Sequence, residues 1–374
     1  ADSETVLTVK TTKPVPAFES NLCDPIASIT DVNSGTNPET NPVGTGPYMA
    51  VNYDVKKQCN VKRYDGYWGG TPKLETATFN IIADPSALAM AQQSGESDVS
   101  LTIPSTSLSL FENNSNYVVD GATGSRGQVM FINFKNEFLQ DINVRKALSM
   151  CIDKESYAKG LNKGASEPAN GLFPDSFDFG GKDLKGYSYD LEGAKKLLDE
   201  AGYQDTDGDG IREIDGENIN LRYVSYENRL LNEFSDAHTQ YLTEIGIGVT
   251  SEYGSSDDQW SKLAALDYDF NNNNWITVGT GDPFAYMANW ATESTYCAYS
   301  NPEYDALYQE LKSEMDEDKR ADLIFQMQQI LIDDAAVLID GYYNSSMIYS
   351  KNVGYAKIHT ADYYWLSTEI VPAE

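Results

Sequence analysis

An α/β lobe with helices packed on a sheet is the fold class this sequence predicts, and three observations predict it. First, acidic residues stand where helices should start. Asp141 precedes a stripe of Val144, Ala147, Leu148 and Cys151, and Asp190 precedes Leu191, Ala194, Leu197 and Leu198, with Gly202 just beyond. Second, period-two runs alternate with those helices. Leu221 and Tyr223 lead into a helical stripe of Leu231, Phe234, His238, Tyr241 and Ile245, after which Ile247, Val249, Ser251 and Tyr253 alternate again. Third, 374 residues exceed what one core usually holds, since single cores stop growing at roughly 250–300 residues.

Taken in order, residues 5–10 alternate like a strand until Lys13-Pro14-Val15-Pro16 breaks the pattern. Residues 29–42 hold little to bury and form a loop or linker. Asn41-Pro42-Val43-Gly44-Thr45-Gly46-Pro47-Tyr48 is a tight turn entering a strand. Strands are expected over 58–64 and 77–82, then a helix over 85–94 that opens near Asp84 and stops at Gly95-Glu96-Ser97-Asp98. Two amphipathic helices follow at 302–315 and 317–334, with Asp316 at the break. Asp316-Glu317-Asp318 is a helix start carrying favourable dipole charge.

Composition narrows the function. With 57 acidic against 27 basic residues the net charge is −30, which repels phosphate backbones and anionic headgroups, so no nucleic acid and no direct membrane docking are expected. No apolar run approaches the ~18–20 residues of a membrane span, and residues 1–10 lack the regions of a signal peptide. Cys23, Cys59, Cys151 and Cys297 show no zinc spacing, and no disulfide framework is expected. Only His238 and His359 are present, which leaves little for a His-rich metal site or a catalytic triad. Enzymatic function is disfavoured.

The stretch around which the chain is organised is 269–283. Phe270 and Trp275 frame Asn271, Asn272, Asn273 and Asn274, and a Gly279-Thr280-Gly281-Asp282-Pro283 loop follows. In an extended run two asparagines face each way. If buried, their amides need partners, and a polar ligand beside Trp275 is one; a solvated loop is the alternative. Asp205, Asp207, Asp209 and Glu213 have the spacing of a calcium loop, although Gly216 stands where a bidentate Glu is expected and a plain turn fits the same residues. His238, on an apolar stripe, is a hydrogen-bonded core histidine.

The order of several motifs resembles family 5 extracellular solute-binding proteins, the receptors of peptide and nickel ABC importers. They are Asn41 to Tyr48, Tyr67-Trp68-Gly69-Gly70-Thr71-Pro72-Lys73-Leu74, Gly95-Glu96-Ser97-Asp98-Val99 and Phe131-Ile132-Asn133-Phe134. Asp141 to Leu148, Cys151-Ile152-Asp153-Lys154-Glu155, Ala194 to Tyr203, Ser300 to Leu307 and Gln329 to Ala335 continue the series. The resemblance implies periplasmic-binding-protein-like (type II, Venus-flytrap) lobes with mixed sheets flanked by helices. It implies that residues 1–40 end a missing N-terminal region or linker, 41–127 with 341–374 make a partial lobe, and 128–340 a complete C-terminal ligand-binding lobe.

The same resemblance implies an ABC importer's substrate-binding component, a monomer that captures an oligopeptide between lobes and hands it to the permease subunits. It would work outside the cytoplasm, as a cell-surface lipoprotein or in the periplasm, its targeting segment absent from this chain. No cofactor is required beyond a candidate Ca²⁺. Trp275 matches a cleft tryptophan and Trp260 a second aromatic. The acid that takes a peptide's ammonium is replaced by Val278 or, allowing for a longer loop, by Gly279, while an arginine of some relatives is Asn272. Asp282 is the candidate substitute acid, with Asn272 and Asn274 offering amides. An oligosaccharide is the alternative ligand and a secreted glycoside hydrolase the cross-class rival.

Overall fold

Local signals decide most of the element boundaries. The computed structural model describes residues 3, 5–161, 163–226, 231–361 and 366–373. Residues 5–10 are exposed throughout and form no strand, contrary to the alternation in the sequence. Alternation makes a strand only where a neighbour accepts the ladder and one face is buried. β1 (Tyr48–Asp54), β2 (Gln58–Arg63) and β3 (Thr76–Asn80) form an antiparallel sheet in that order. α1 (Pro85–Ser94) opens on Asp84, whose Oδ1 accepts from Ala87 N at 2.7 Å, and closes at Gly95 in the left-handed region.

β4 (Val99–Leu101), α2 (Ser105–Glu112) and the long β5 (Tyr117–Ile132) follow. α3 (Ile142–Cys151) starts on Asp141, which accepts from Asn143 N at 2.8 Å, and buries Val144, Ala147, Leu148 and Cys151. After β6 (Ser166–Pro168), α4 (Leu191–Glu200) starts on Asp190 and buries Ala194 and Leu198. The β7 (Glu213–Ile214) and β8 (Glu217–Asn218) hairpin leads to β9 (Asn220–Tyr226). Then come α5 (Leu231–Glu244), β10 (Gly248–Gly254), α6 (Ser256–Ala265) and β11 (Phe270–Asn273). α7 (Pro302–Leu311) ends four residues before the expected boundary. Arg320 Nη1 donates to Leu311 O and Glu314 O, so side-chain bonds take over the C-terminal carbonyls. α8 (Glu317–Asp333) and β12 (Val337–Ser350) precede the short β13 (Val353–Tyr355) and β14 (Val371–Pro372).

The chain divides into two compact units. The first comprises Ala1–Leu22, Arg126–Tyr157 and Pro168–Gly341; the second comprises Cys23–Ser125, Ala158–Glu167 and Tyr342–Glu374. In the first, β10, β9, β11, β5 and β12 are sheet neighbours in that order, with β10 and β9 parallel and β11 antiparallel to β5. Its core packs Met130, Ile132, Leu148, Leu198, Tyr223, Leu242, Ile247 and Phe270 between sheet and helices. In the second, β4 pairs with the outer part of β12, and Met347, Tyr349, Ile358 and Ile370 form a smaller core.

Candidate functional site

β11 lies in the middle of the first unit's sheet, so its asparagines are buried by its neighbours. Phe270 pairs with Tyr223 on one side and with Ile132 on the other. Asn271, Asn272, Asn273 and Asn274 are at most 5% exposed. The pleat sends Asn271 and Asn273 to one face, where Asn273 Nδ2 donates to Asn271 Oδ1 at 2.8 Å and Gln259 Nε2 donates to the same oxygen. Asn272 points to the other face and donates through Nδ2 to Leu231 O at 3.3 Å. Asn274 Oδ1 accepts from Arg126 Nη1 at 3.1 Å and from Tyr226 Oη at 3.2 Å.

Those bonds leave the amides incomplete. Asn271 Nδ2, Asn272 Oδ1, Asn274 Nδ2, Gln259 Oε1 and both amide atoms of Gln128 are buried without a hydrogen-bond partner in the chain. A buried polar atom left unpaired costs about 1–3 kcal/mol, so such a cluster is rare without a ligand or water to complete it.

Aromatic rings stand beside the ladder. Trp260, on α6, meets Trp275 edge to face with centroids 4.8 Å apart. Tyr286 and Tyr296 lie 5.5 and 6.2 Å from Trp275, and Phe131 lies 6.3 Å away. Trp260, Trp275 and Tyr296 are only half-buried, so the cluster has an open side. Edge-to-face packing fixes the indoles and leaves ring faces for a flat or apolar partner. Gln128, Gln259, Arg126, Tyr286 and Tyr296 escaped the sequence reading, because they come from segments other than the 269–283 stretch.

The remaining candidates fall differently. Val278 is 3% exposed and Gly279 half-buried. Asp282, expected as a substitute acid, is already paired. Arg320 donates to Asp282 Oδ2 through Nε at 3.0 Å and Nη2 at 2.5 Å, and Phe284 N donates to Oδ1 at 2.8 Å. Both side chains are largely buried, so this carboxylate holds the loop and is not a free anchor for an ammonium. The correction comes from a partner 38 positions downstream.

Asp205, Asp207 and Asp209 bring carboxylate oxygens within 4.8 Å of one another, all exposed. Glu213, the fourth expected calcium ligand, accepts from Thr206 N and Oγ1 instead. Asp205 accepts from Gly208 N and Gly210 N, and Asp209 accepts from Ile211 N and Asn218 Nδ2. Those donors, Ile211 N first, hold the Asp209 carboxyl below its ordinary value. The loop satisfies its own acids.

Comparison with solved structures defines the class. NikA from Staphylococcus aureus, in complex with Ni(L-His)2, matches with a TM-score of 0.78 at 21% identity, over 97% of this chain and 76% of that one. The fold is that of type II periplasmic binding proteins. Residues 1–296 match the bacterial extracellular solute-binding proteins, family 5 Middle, and the chain belongs to that family. The oligopeptide-binding protein AppA of Bacillus subtilis is 26% identical over 351 residues, 88% of this chain and 62% of that protein. The dipeptide-binding protein of Escherichia coli is 26% identical over 350 residues, 88% of this chain and 63% of that protein. The chain thus spans a little over three-fifths of the length of these relatives. Members of the family are substrate-binding proteins that act outside the cytoplasm. Calcium finds no support among them.

Proposed function

We propose that this chain is the solute-capturing part of an ABC importer receptor, acting outside the cytoplasm and taking an oligopeptide at the Trp260–Trp275 face of its first unit. One observation carries the reading: buried amides with unfilled hydrogen-bonding capacity lie behind tryptophans that are partly open to solvent. A peptide main chain carries the complementary donors and acceptors, and its side chains would rest on Trp260 and Trp275. Asn274 and Gly279 would supply the polar contacts and Val278 the apolar backing, while Asn272, which faces Leu231 on the other side of the sheet, would act only through the ladder. The names of the Bacillus subtilis and Escherichia coli relatives support a peptide over other solutes. With neither Val278 nor Gly279 acidic and Asp282 paired, recognition would run through the peptide backbone and not through its ammonium end. The same neutral amides and indole faces favour an oligosaccharide as the second reading. The role is capture without catalysis, needs no resident metal, and would end in delivery to permease subunits by a monomer.

A thermal-shift screen tests this with mixed di- to pentapeptides, cello- and xylo-oligosaccharides. A binder at 100 times its Kd adds about 2.7 kcal/mol of stability. We expect peptides to raise Tm and Trp275→Ala to abolish the rise. A response to sugars alone moves the assignment to oligosaccharides, and silence from every ligand overturns the site.

A further inference from the structure

Under α5 lies a second polar cluster that the ladder does not use. His238, 1% exposed, shares a hydrogen bond of 2.8 Å between its Nδ1 and Tyr223 Oη, and its Nε2 stands 3.0 Å from Asp340 Oδ2. Asp340 is also 1% exposed, and neither of its carboxylate oxygens makes a hydrogen bond within the chain. Lys154 donates through Nζ to Ala169 O at 3.1 Å. Burial lowers the Lys154 pKa, while Asp340 acts in the opposite sense. Both side chains line one cavity of about 40 Å³, together with Ser149, Asn170 and Tyr187, yet they make no direct ion pair.

A buried carboxylate whose oxygens make no hydrogen bond within the chain must be completed by whatever fits the space in front of it. That volume holds about two water molecules, and its walls, open to solvent at Asn170 and Gly186, offer several polar partners. The Lys154 ammonium disfavours a metal cation there, and Asp340 disfavours an anion.

We infer that the cavity is a hydration site in which one or two ordered waters bridge Asp340 Oδ1 to the Lys154 ammonium. Tyr223, His238, Asp340, water and Lys154 then form one contiguous polar chain, in which His238 and Asp340 meet as a 3.0 Å charge contact. This chain also ties the segments where the polypeptide leaves and re-enters the first unit. Lys154 lies just before the Tyr157 boundary, Ala169 just after Pro168 and Asp340 just before Gly341. Ala169 N donates to Asp340 O at 3.1 Å, so the two nearest segments are already joined by backbone.

The test is a crystal structure of the full chain at about 1.5 Å, grown with rubidium chloride in place of sodium and potassium salts. Expected is water density at hydrogen-bond distance, about 2.7–3.2 Å, from both Asp340 Oδ1 and Lys154 Nζ, without an anomalous rubidium peak. A dry cavity, a direct Lys154–Asp340 contact, or rubidium at the site overturns the inference. In solution, Lys154→Met, Asp340→Asn and the double variant form a cycle read from urea midpoints. A bridged pair predicts that the double variant loses less than the sum of the singles, and strict additivity overturns it. If Asp340→Asn does not fold, the crystal structure of the unsubstituted chain still decides.

Discussion

The asparagine ladder at 271–274 and the acidic loop at 205–213 are the two polar runs that stand out in this sequence, and the fold treats them in opposite ways. The three aspartates of the loop are exposed, and its carboxylates accept from its own N–H groups, from Thr206 and from Asn218. The ladder is buried, and amide atoms of Asn271, Asn272 and Asn274 have no partner in the chain. Charge and ligand-like spacing therefore single out a run whose acids already have partners. Unfilled hydrogen-bonding capacity in a buried place is the better mark of a site, because only there does an absent partner cost free energy.

The comparison breaks most visibly where a buried group loses a partner it has. Arg320→Met strands the Asp282 carboxylate, and we expect a loss of about 3–5 kcal/mol in urea unfolding. A loss below about 1 kcal/mol would show that Asp282 finds another partner or water. Asn272→Leu should behave oppositely. Removing an amide whose oxygen is already unpaired should leave stability within about 1 kcal/mol of the parent, or raise it, while the peptide-induced thermal shift disappears. A large loss of stability with binding intact would mean that the ladder is structural.

A pH series sharpens the contrast with completed charges. Hydrogen bonds from Arg222, then Lys262, hold Glu252 down to about 2 from an ordinary 4.5. The folded value is depressed, so the stabilisation is present above pH 4.5 and is lost as pH falls from there toward 2. The parent should therefore exceed Glu252→Gln in thermal melts at pH 6, by less than about 1 kcal/mol for a part-exposed cluster. The two should converge near pH 2; a constant gap would contradict the ion-pair account. The smallest effect is expected at the acidic loop, where 1 mM Ca²⁺ should move Tm by under about 1 °C. A larger rise, abolished by Asp207→Asn, would restore calcium to that loop.

Helix starts were legible because a cap is a local device: Asp84, Asp141, Asp190 and Asp316 each accept from an N–H two or three residues on. His238 was legible too, since a histidine on an apolar stripe must find partners inside, and it meets Tyr223 and Asp340. The strand expected over 5–10 failed for the converse reason, as alternation says nothing about whether a sheet is there to receive it.

Periodicity and capping thus carried the α/β class, and the order of motifs carried the family, because both are written in short-range spacing. The alternation of Asn271 and Asn273 against Asn272 was equally fixed by the pleat. Which amides remain unpaired, that Trp260 meets Trp275, and that Arg320 takes Asp282 were decided only in the folded chain. Those are pairings between residues far apart in sequence or on separate elements, and no local pattern encodes the partner a side chain meets across a sheet.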